Sequence, residues 1–141
     1  MSSRYEVLAS SADGRSIAVE AGDRKTTVDL SAALGGPGEN PNPDETLIAA
    51  LGACTIITLP LYAARKGWAI GPVQVRVSMD VPGGDQPAHI EQIVHIPAEL
   101  DAERRERLEQ IAGRCPIHRL LAGPMTFEDR LGTADEVGAV A

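Results

Sequence analysis

Between Leu47 and Ala64 the chain carries no charged side chain, whereas charged residues are spread through most of the rest of it. The pattern on either side of this run predicts a long helix from Asn42 to Gly67. Asn42 suits the N-cap, Pro43 the first helical position, and Glu45 stands where a capping box requires a carboxylate. Asp44 and Glu45 also set negative charge against the positive end of the helix dipole. Lys66–Gly67 supply the stop. With no polar face of its own, the helix is expected to run through the interior of the fold, and Pro60 is expected to kink it between Ile56 and Pro60. Some 18 apolar residues reach the lower limit for a membrane span. Gly52, Thr55, Thr58 and Pro60, and the charge-rich remainder, point instead to a central helix of a soluble domain or of a dimer.

Before this helix, Arg4–Ser10, Ser16–Glu20 and Arg24–Leu30 read as an antiparallel meander with turns at Asp13–Gly14 and Gly22–Asp23. Residues 31–41 form a Gly/Pro loop. After it, Val73–Val81 alternates as a half-buried strand, and His89–Ile96 follows as a second strand with a less regular pattern. Asp101 then caps an amphipathic helix over Ala102–Gly113, with Leu108, Ile111 and Ala112 inward and its Glu/Arg set in water. Pro116 opens a short helix to Leu121 with Cys115 as its N-cap, and Pro124–Leu131 reads as a last strand. The expected organisation is therefore α+β, with one domain over residues 1–131 and a frayed tail over 132–141.

Composition narrows the function. A net charge of −7 argues against nucleic acid and anionic membranes as partners. The opening residues lack the apolar core of a signal peptide, and two cysteines are too few for a secreted disulfide scaffold, so the expected compartment is cytoplasmic. There a cysteine pair is redox-active, metal-bound or simply buried. Cys54 has only neutral neighbours in sequence, and burial would raise its pKa, so a reactive Cys54 needs a cation brought from elsewhere. Cys115, at a helix start beside Arg114, is expected to be the more acidic thiol. Cys115 with His118 is only half a zinc site, and His89 with His95 completes none, so no metal is expected.

The run from Asn42 through Leu51-Gly52-Ala53-Cys54-Thr55, the following Arg65-Lys66-Gly67-Trp68, and the later Cys115-Pro116-Ile117-His118 together resemble the OsmC/Ohr family, the osmotically inducible and organic hydroperoxide resistance proteins. The resemblance covers about residues 20–131 and is nearest to the OsmC-like branch. It implies an OsmC-like fold of antiparallel sheets packed around long central helices in an intertwined homodimer. It implies that Cys54 attacks an organic hydroperoxide and becomes a sulfenic acid. Cys115 then condenses with it to a disulfide, which a dithiol, of lipoyl type in the family's best-known members, reduces. No bound cofactor is implied. Apolar residues near Cys54, such as Leu47, Leu51 and Ile57, would favour a hydrophobic peroxide. The family's peroxidases pair a glutamate ten residues before the first cysteine with an arginine. Here that position is Asp44, with Glu45 next to it, and the arginine is assigned first to Arg24 and second to Arg15. Two other readings stay open: a non-catalytic protein holding a small apolar or acyl ligand, and a slow thiol redox sensor.

Overall fold

Two compact units emerge in the computed structural model, which describes residues 2–138. One holds the residues up to Thr46 together with those from Thr126 onward, and the other is Leu47–Met125.

In the first unit, strands β1 (Leu8–Ser10), β2 (Ser16–Ala21) and β3 (Arg24–Asp29) form the expected antiparallel meander in the order β1-β2-β3. Ala21 pairs with Arg24, leaving a two-residue hairpin loop whose Gly22 takes a φ of 65° that a side chain would resist. Asp29, at the end of β3, is almost wholly buried and organises the Gly/Pro loop. Its Oδ2 accepts hydrogen bonds from the Glu39 N–H (3.0 Å), the Asn40 N–H (2.9 Å) and the Asn40 side-chain amide (3.2 Å). Burial pushes this carboxyl up, but the Asn40 donors, the Ser16 hydroxyl and the Glu39 N–H outweigh it and hold it below the ordinary carboxylate value. The loop thus delivers the chain in a fixed course to α1 (Pro43–Arg65). At its start Asn42 Oδ1 accepts the Glu45 N–H (2.8 Å) and Glu45 Oε1 accepts the Asn42 N–H (3.1 Å), the anticipated capping box.

The second unit is built on α1. Its buried residues Leu51, Thr55, Leu59 and Ala63 recur every four positions and form one stripe, with Gly52 beside it. Leu59 and Ala63 meet Ile70, Leu108, Ile111 and Ala112 in the core. At Gly52 a Cβ would lie 3.1 Å from Val77 Cγ2, so the missing side chain is what lets helix and strand approach. Strands β4 (Gln74–Asp80) and β5 (His89–His95) pair antiparallel, with Val77 opposite Gln92. Helix α2 (Ala102–Ala112) is capped by Asp101, whose side chain accepts from the Arg104 N–H, and α3 (Pro116–Ala122) is capped by Cys115. Trp68 packs edge-on against Tyr62 at 5.9 Å, and both border the core.

Three expectations need correction. The helix is expected inside a soluble domain or a dimer, yet within the single chain it is not enclosed: Ile57 is 62% and Leu61 55% exposed on the side away from the stripe. By length and composition α1 could also cross a membrane, and only 28% of its most apolar window is buried. A helix can bury only the side that meets its own unit, and α1 is apolar all round. The second correction concerns Pro124–Leu131, which forms no strand. Alternation alone does not make one: the backbone needs a neighbouring ladder, and no described strand pairs with this segment. Third, the tail includes one helical turn, α4 (Ala134–Val137), closed by a Thr133/Glu136 capping box. Residues 139–141 of that tail lie outside the described residues. As for Pro60, the helix continues through it.

Candidate functional site

The second unit brings the two cysteines together. Cys54 lies one residue before Thr55 on α1 and is partly exposed, while Cys115 is fully buried at the start of α3, and both are free thiols. Helix α3 begins there because Pro116 fits the first turn and the sulfur takes the capping place, accepting the His118 N–H at 3.3 Å. On the other side the Thr55 hydroxyl lies 3.7 Å from Cys115 Sγ. The same hydroxyl is 2.7 Å from Gln92 Oε1 and 3.2 Å from the Leu51 carbonyl one helical turn earlier.

The electrostatics of Cys115 run opposite to expectation. Burial pushes its thiol up, the His118 N–H and the Thr55 hydroxyl pull it down, and the adjacent Cys54 thiol pushes it up again, leaving it above the ordinary thiol value. The helix start and the neighbouring Arg114 suggest a more acidic group, but desolvation dominates for a sulfur with no exposed surface, and the lowering contacts are the His118 N–H and the Thr55 hydroxyl. The 3.7 Å contact of Cys115 Sγ with Thr55 brings Cys115 against α1 one residue from Cys54, although the two cysteines stand 61 positions apart in sequence.

The other anticipated residues lie on the N-terminal strands and at the start of α1. Arg24 is at the start of β3, its Nε donating to the Ala21 carbonyl at 3.1 Å. Arg15 stands in the turn before β2, and Asp44 and Glu45 in the first turn of α1, where Glu45 is engaged in the cap. All four belong to the unit that does not hold the thiols. Around Cys54, Leu51 is buried, whereas Leu47 and Ile57 are exposed.

Thr55 and Gln92 were not anticipated as site residues. The signal for Gln92 was the irregular pattern of its strand: Ile90, Gln92 and Val94 share the inward face of β5, while Ile93 points outward. A glutamine in an otherwise apolar inward row needs a polar partner, and Thr55 supplies it. Next to this group a cavity of about 860 Å³ opens among Leu51, Gln92, Val94, Leu108, His118 and Leu121. It is mainly apolar, with a few polar groups at its wall, which is the usual character of a small-molecule site. Among the described residues no three His, Cys, Asp or Glu side chains gather as a metal centre would need.

Fold and site together define an α+β protein with a long helix, antiparallel sheets and a juxtaposed pair of free cysteines. The family model for OsmC-like proteins matches residues 36–128, and the chain belongs to that family. Among solved structures, an OsmC-like protein from Mycoplasma pneumoniae superposes with a TM-score of 0.67 at 21% identity, over 87% of this chain and 90% of that one. An organic hydroperoxide resistance protein OsmC from Legionella pneumophila gives 0.64 at 22% identity, over 86% and 93%. The organic hydroperoxide resistance protein OhrB of Bacillus subtilis gives 0.59 at 21%, over 85% and 91%. At these identities the likeness is one of fold. An uncharacterized protein, YmaD, of Bacillus subtilis is 41% identical over 49 residues, which span 35% of this chain and 33% of the relative. Two of these structures are named organic hydroperoxide resistance proteins.

Proposed function

We propose that the chain is a cytoplasmic, thiol-dependent peroxidase that reduces organic hydroperoxides. The observation carrying this reading is the buried free thiol of Cys115 held against α1 at Thr55, one residue from the free and partly exposed Cys54. The Cys54 thiolate attacks the outer peroxide oxygen, forming an S–O bond as the O–O bond breaks. The alkoxide takes up a proton and leaves as an alcohol, and Cys54 becomes a sulfenic acid. Cys115 then attacks the Cys54 sulfur. The S–S bond forms, the S–O bond breaks, and the hydroxyl departs with the Cys115 proton as water. An external dithiol, of lipoyl type, reduces the disulfide and leaves as its own disulfide. Cys54 is the nucleophile because it is the thiol with exposed surface.

An arginine from the N-terminal strands, Arg24 first and Arg15 second, supplies the charge that stabilises the thiolate and polarises the peroxide. Asp44 orients it in preference to Glu45, because Glu45 is engaged in the helix cap. The exposed apolar side of α1, with Ile57 and Leu61, supports a homodimer in which this face is covered. The test is peroxide consumption with a dithiol reductant in the wild type, Cys54→Ser and Cys115→Ser. Turnover should vanish without Cys54 and stop after one round without Cys115. Undiminished turnover in Cys54→Ser would end the proposal.

A second reading draws on the apolar cavity beside Gln92 and His118. In it the protein holds a small apolar or acyl ligand without chemistry. A Cys54 thiol left unmodified by stoichiometric organic hydroperoxide would favour that reading.

A further inference from the structure

Thr55 is fully buried inside a long apolar run, and its hydroxyl has a single proton for three acceptors. They are Gln92 Oε1 at 2.7 Å, the Leu51 carbonyl at 3.2 Å and Cys115 Sγ at 3.7 Å. Gln92 makes the shortest contact and holds the proton while the sulfur is neutral, because neutral sulfur accepts weakly. A thiolate reverses that order. A hydrogen bond to an ionised acceptor is roughly twice as strong as one between neutral groups. Cys115 has no exposed surface, so a thiolate there must draw such bonds from the protein rather than from water. The His118 N–H, at 3.3 Å, is one donor already in place. The Thr55 hydroxyl is a second, held in reserve by Gln92.

We infer that Thr55 is a catalytic residue of disulfide reduction: its hydroxyl turns from Gln92 to the Cys115 sulfur and donates to it as that sulfur leaves as a thiolate. The role rests on the peroxidase reading above and adds a determinant of its last step. In that step one sulfur of the dithiol, as thiolate, attacks the partly exposed Cys54 sulfur. A new S–S bond forms, the Cys54–Cys115 bond breaks, and its electron pair leaves on Cys115. The second dithiol sulfur then displaces Cys54 and closes the reductant's own disulfide. The two protons given up by the dithiol end on the two cysteines. Thr55 keeps its own proton and lends it only as a hydrogen bond, placed where charge develops. Gln92 is a positioning residue, since it competes for the threonine proton and keeps it from the sulfur at rest.

The experiment forms the disulfide with diamide, so that no peroxide chemistry is required, and times its reduction by excess dihydrolipoamide. In Thr55→Val, which keeps the shape but removes the hydroxyl, reduction should slow about tenfold, equivalent to ~1.4 kcal/mol in the barrier. Thr55→Ser should restore the rate to within about twofold, since serine keeps the donor. Thr55→Ala adds no bulk and serves as second variant if the valine does not fold. A titration separates donation from packing. The titratable group that bears on the Cys115 sulfur is Cys54, so the titration uses a Cys54→Ser background, which removes it. There the pH profile for alkylation of Cys115 should move to higher pH with Thr55→Val. It should move to lower pH with Gln92→Leu, which frees the threonine proton for the sulfur. Equal reduction rates in wild type and Thr55→Val, or a profile that Thr55→Val does not raise, would overturn the role of Thr55. A profile that Gln92→Leu does not lower would overturn the part given to Gln92. Hydroperoxide consumption is measured alongside: a wild type that consumes none while its reduction depends on Thr55 would overturn the peroxidase reading alone. A wild type in which diamide forms no Cys54–Cys115 disulfide would overturn both.

Discussion

Replacing Leu59 by alanine tests whether the four-residue stripe of α1 is the side that holds the helix to its unit. Leu59 has no exposed surface and packs with Ala63, Ile70, Leu108 and Ile111. Alanine removes three carbon groups, a transfer loss of about 2.4 kcal/mol at ~0.8 kcal/mol each. A residual hole of roughly 50 Å³ at ~24 cal/mol per Å³ adds about 1 kcal/mol if nothing relaxes. Leu59 also lines the neighbouring cavity, which leaves the surrounding side chains room to settle, so the expected loss is about 3 kcal/mol. Urea unfolding of the reduced protein measures it, as a lower midpoint at unchanged slope. The control is Leu61→Ala, two positions on and 55% exposed. In an isolated chain it should lose less than about 0.5 kcal/mol. If the outer face is covered by a second copy, Leu61→Ala approaches the Leu59 loss and the midpoint rises with protein concentration. A Leu59→Ala loss below about 1 kcal/mol would refute the assignment of the inner stripe.

Three further outcomes follow from the same geometry. The Asp29 carboxyl is held below its ordinary value, so its ties to the 36–41 loop stabilise the fold at pH above the unfolded-state value and are lost as pH falls through the still lower folded value; amide exchange at Glu39 and Asn40 should therefore accelerate only in that acid window. Cys115, buried and raised, should alkylate with iodoacetamide at least tenfold more slowly than Cys54 near neutral pH, read by mass spectrometry in Cys54→Ser and Cys115→Ser. Gly36→Ala would drive its new carbon into the Leu30 backbone, so it should lower the thermal midpoint by more than about 5 °C.

Much of the scaffold was legible because its determinants are local. Asn42, Pro43 and Glu45 lie within one turn of each other, and the cap they make is the cap observed. Asp101 and the spacing of Leu108, Ile111 and Ala112 likewise determine α2 without outside help. Cys115 at a helix start was legible from Pro116. What escaped were the features settled across the fold. Pro124–Leu131 alternates like a strand but lacks a ladder among the described strands. Thr55 resembled an incidental polar residue, because its partner Gln92 stands 37 positions away on another element. The direction of the Cys115 shift is hidden for the same reason: the helix start is visible in sequence, whereas the burial that dominates the thiol is not.

A raised pKa need not disqualify Cys115 as the resolving thiol of the proposed cycle. Protonated at rest and without exposed surface, it reacts slowly with peroxide, so oxidation is directed to Cys54. Its attack on the sulfenic acid is intramolecular, and proximity compensates for a small thiolate fraction. The harder step is reduction of the disulfide, because a thiol of high pKa leaves slowly. A dithiol from solution reaches the partly exposed Cys54 sulfur, so Cys115 must be the leaving group. Two donors stand ready for the thiolate as it forms. The His118 N–H is fixed in place by the first turn of α3, and the Thr55 hydroxyl can rotate from Gln92 to the sulfur. A hydroxyl at position 55 can make this turn and donate to the departing thiolate, whereas an apolar side chain of the same shape cannot.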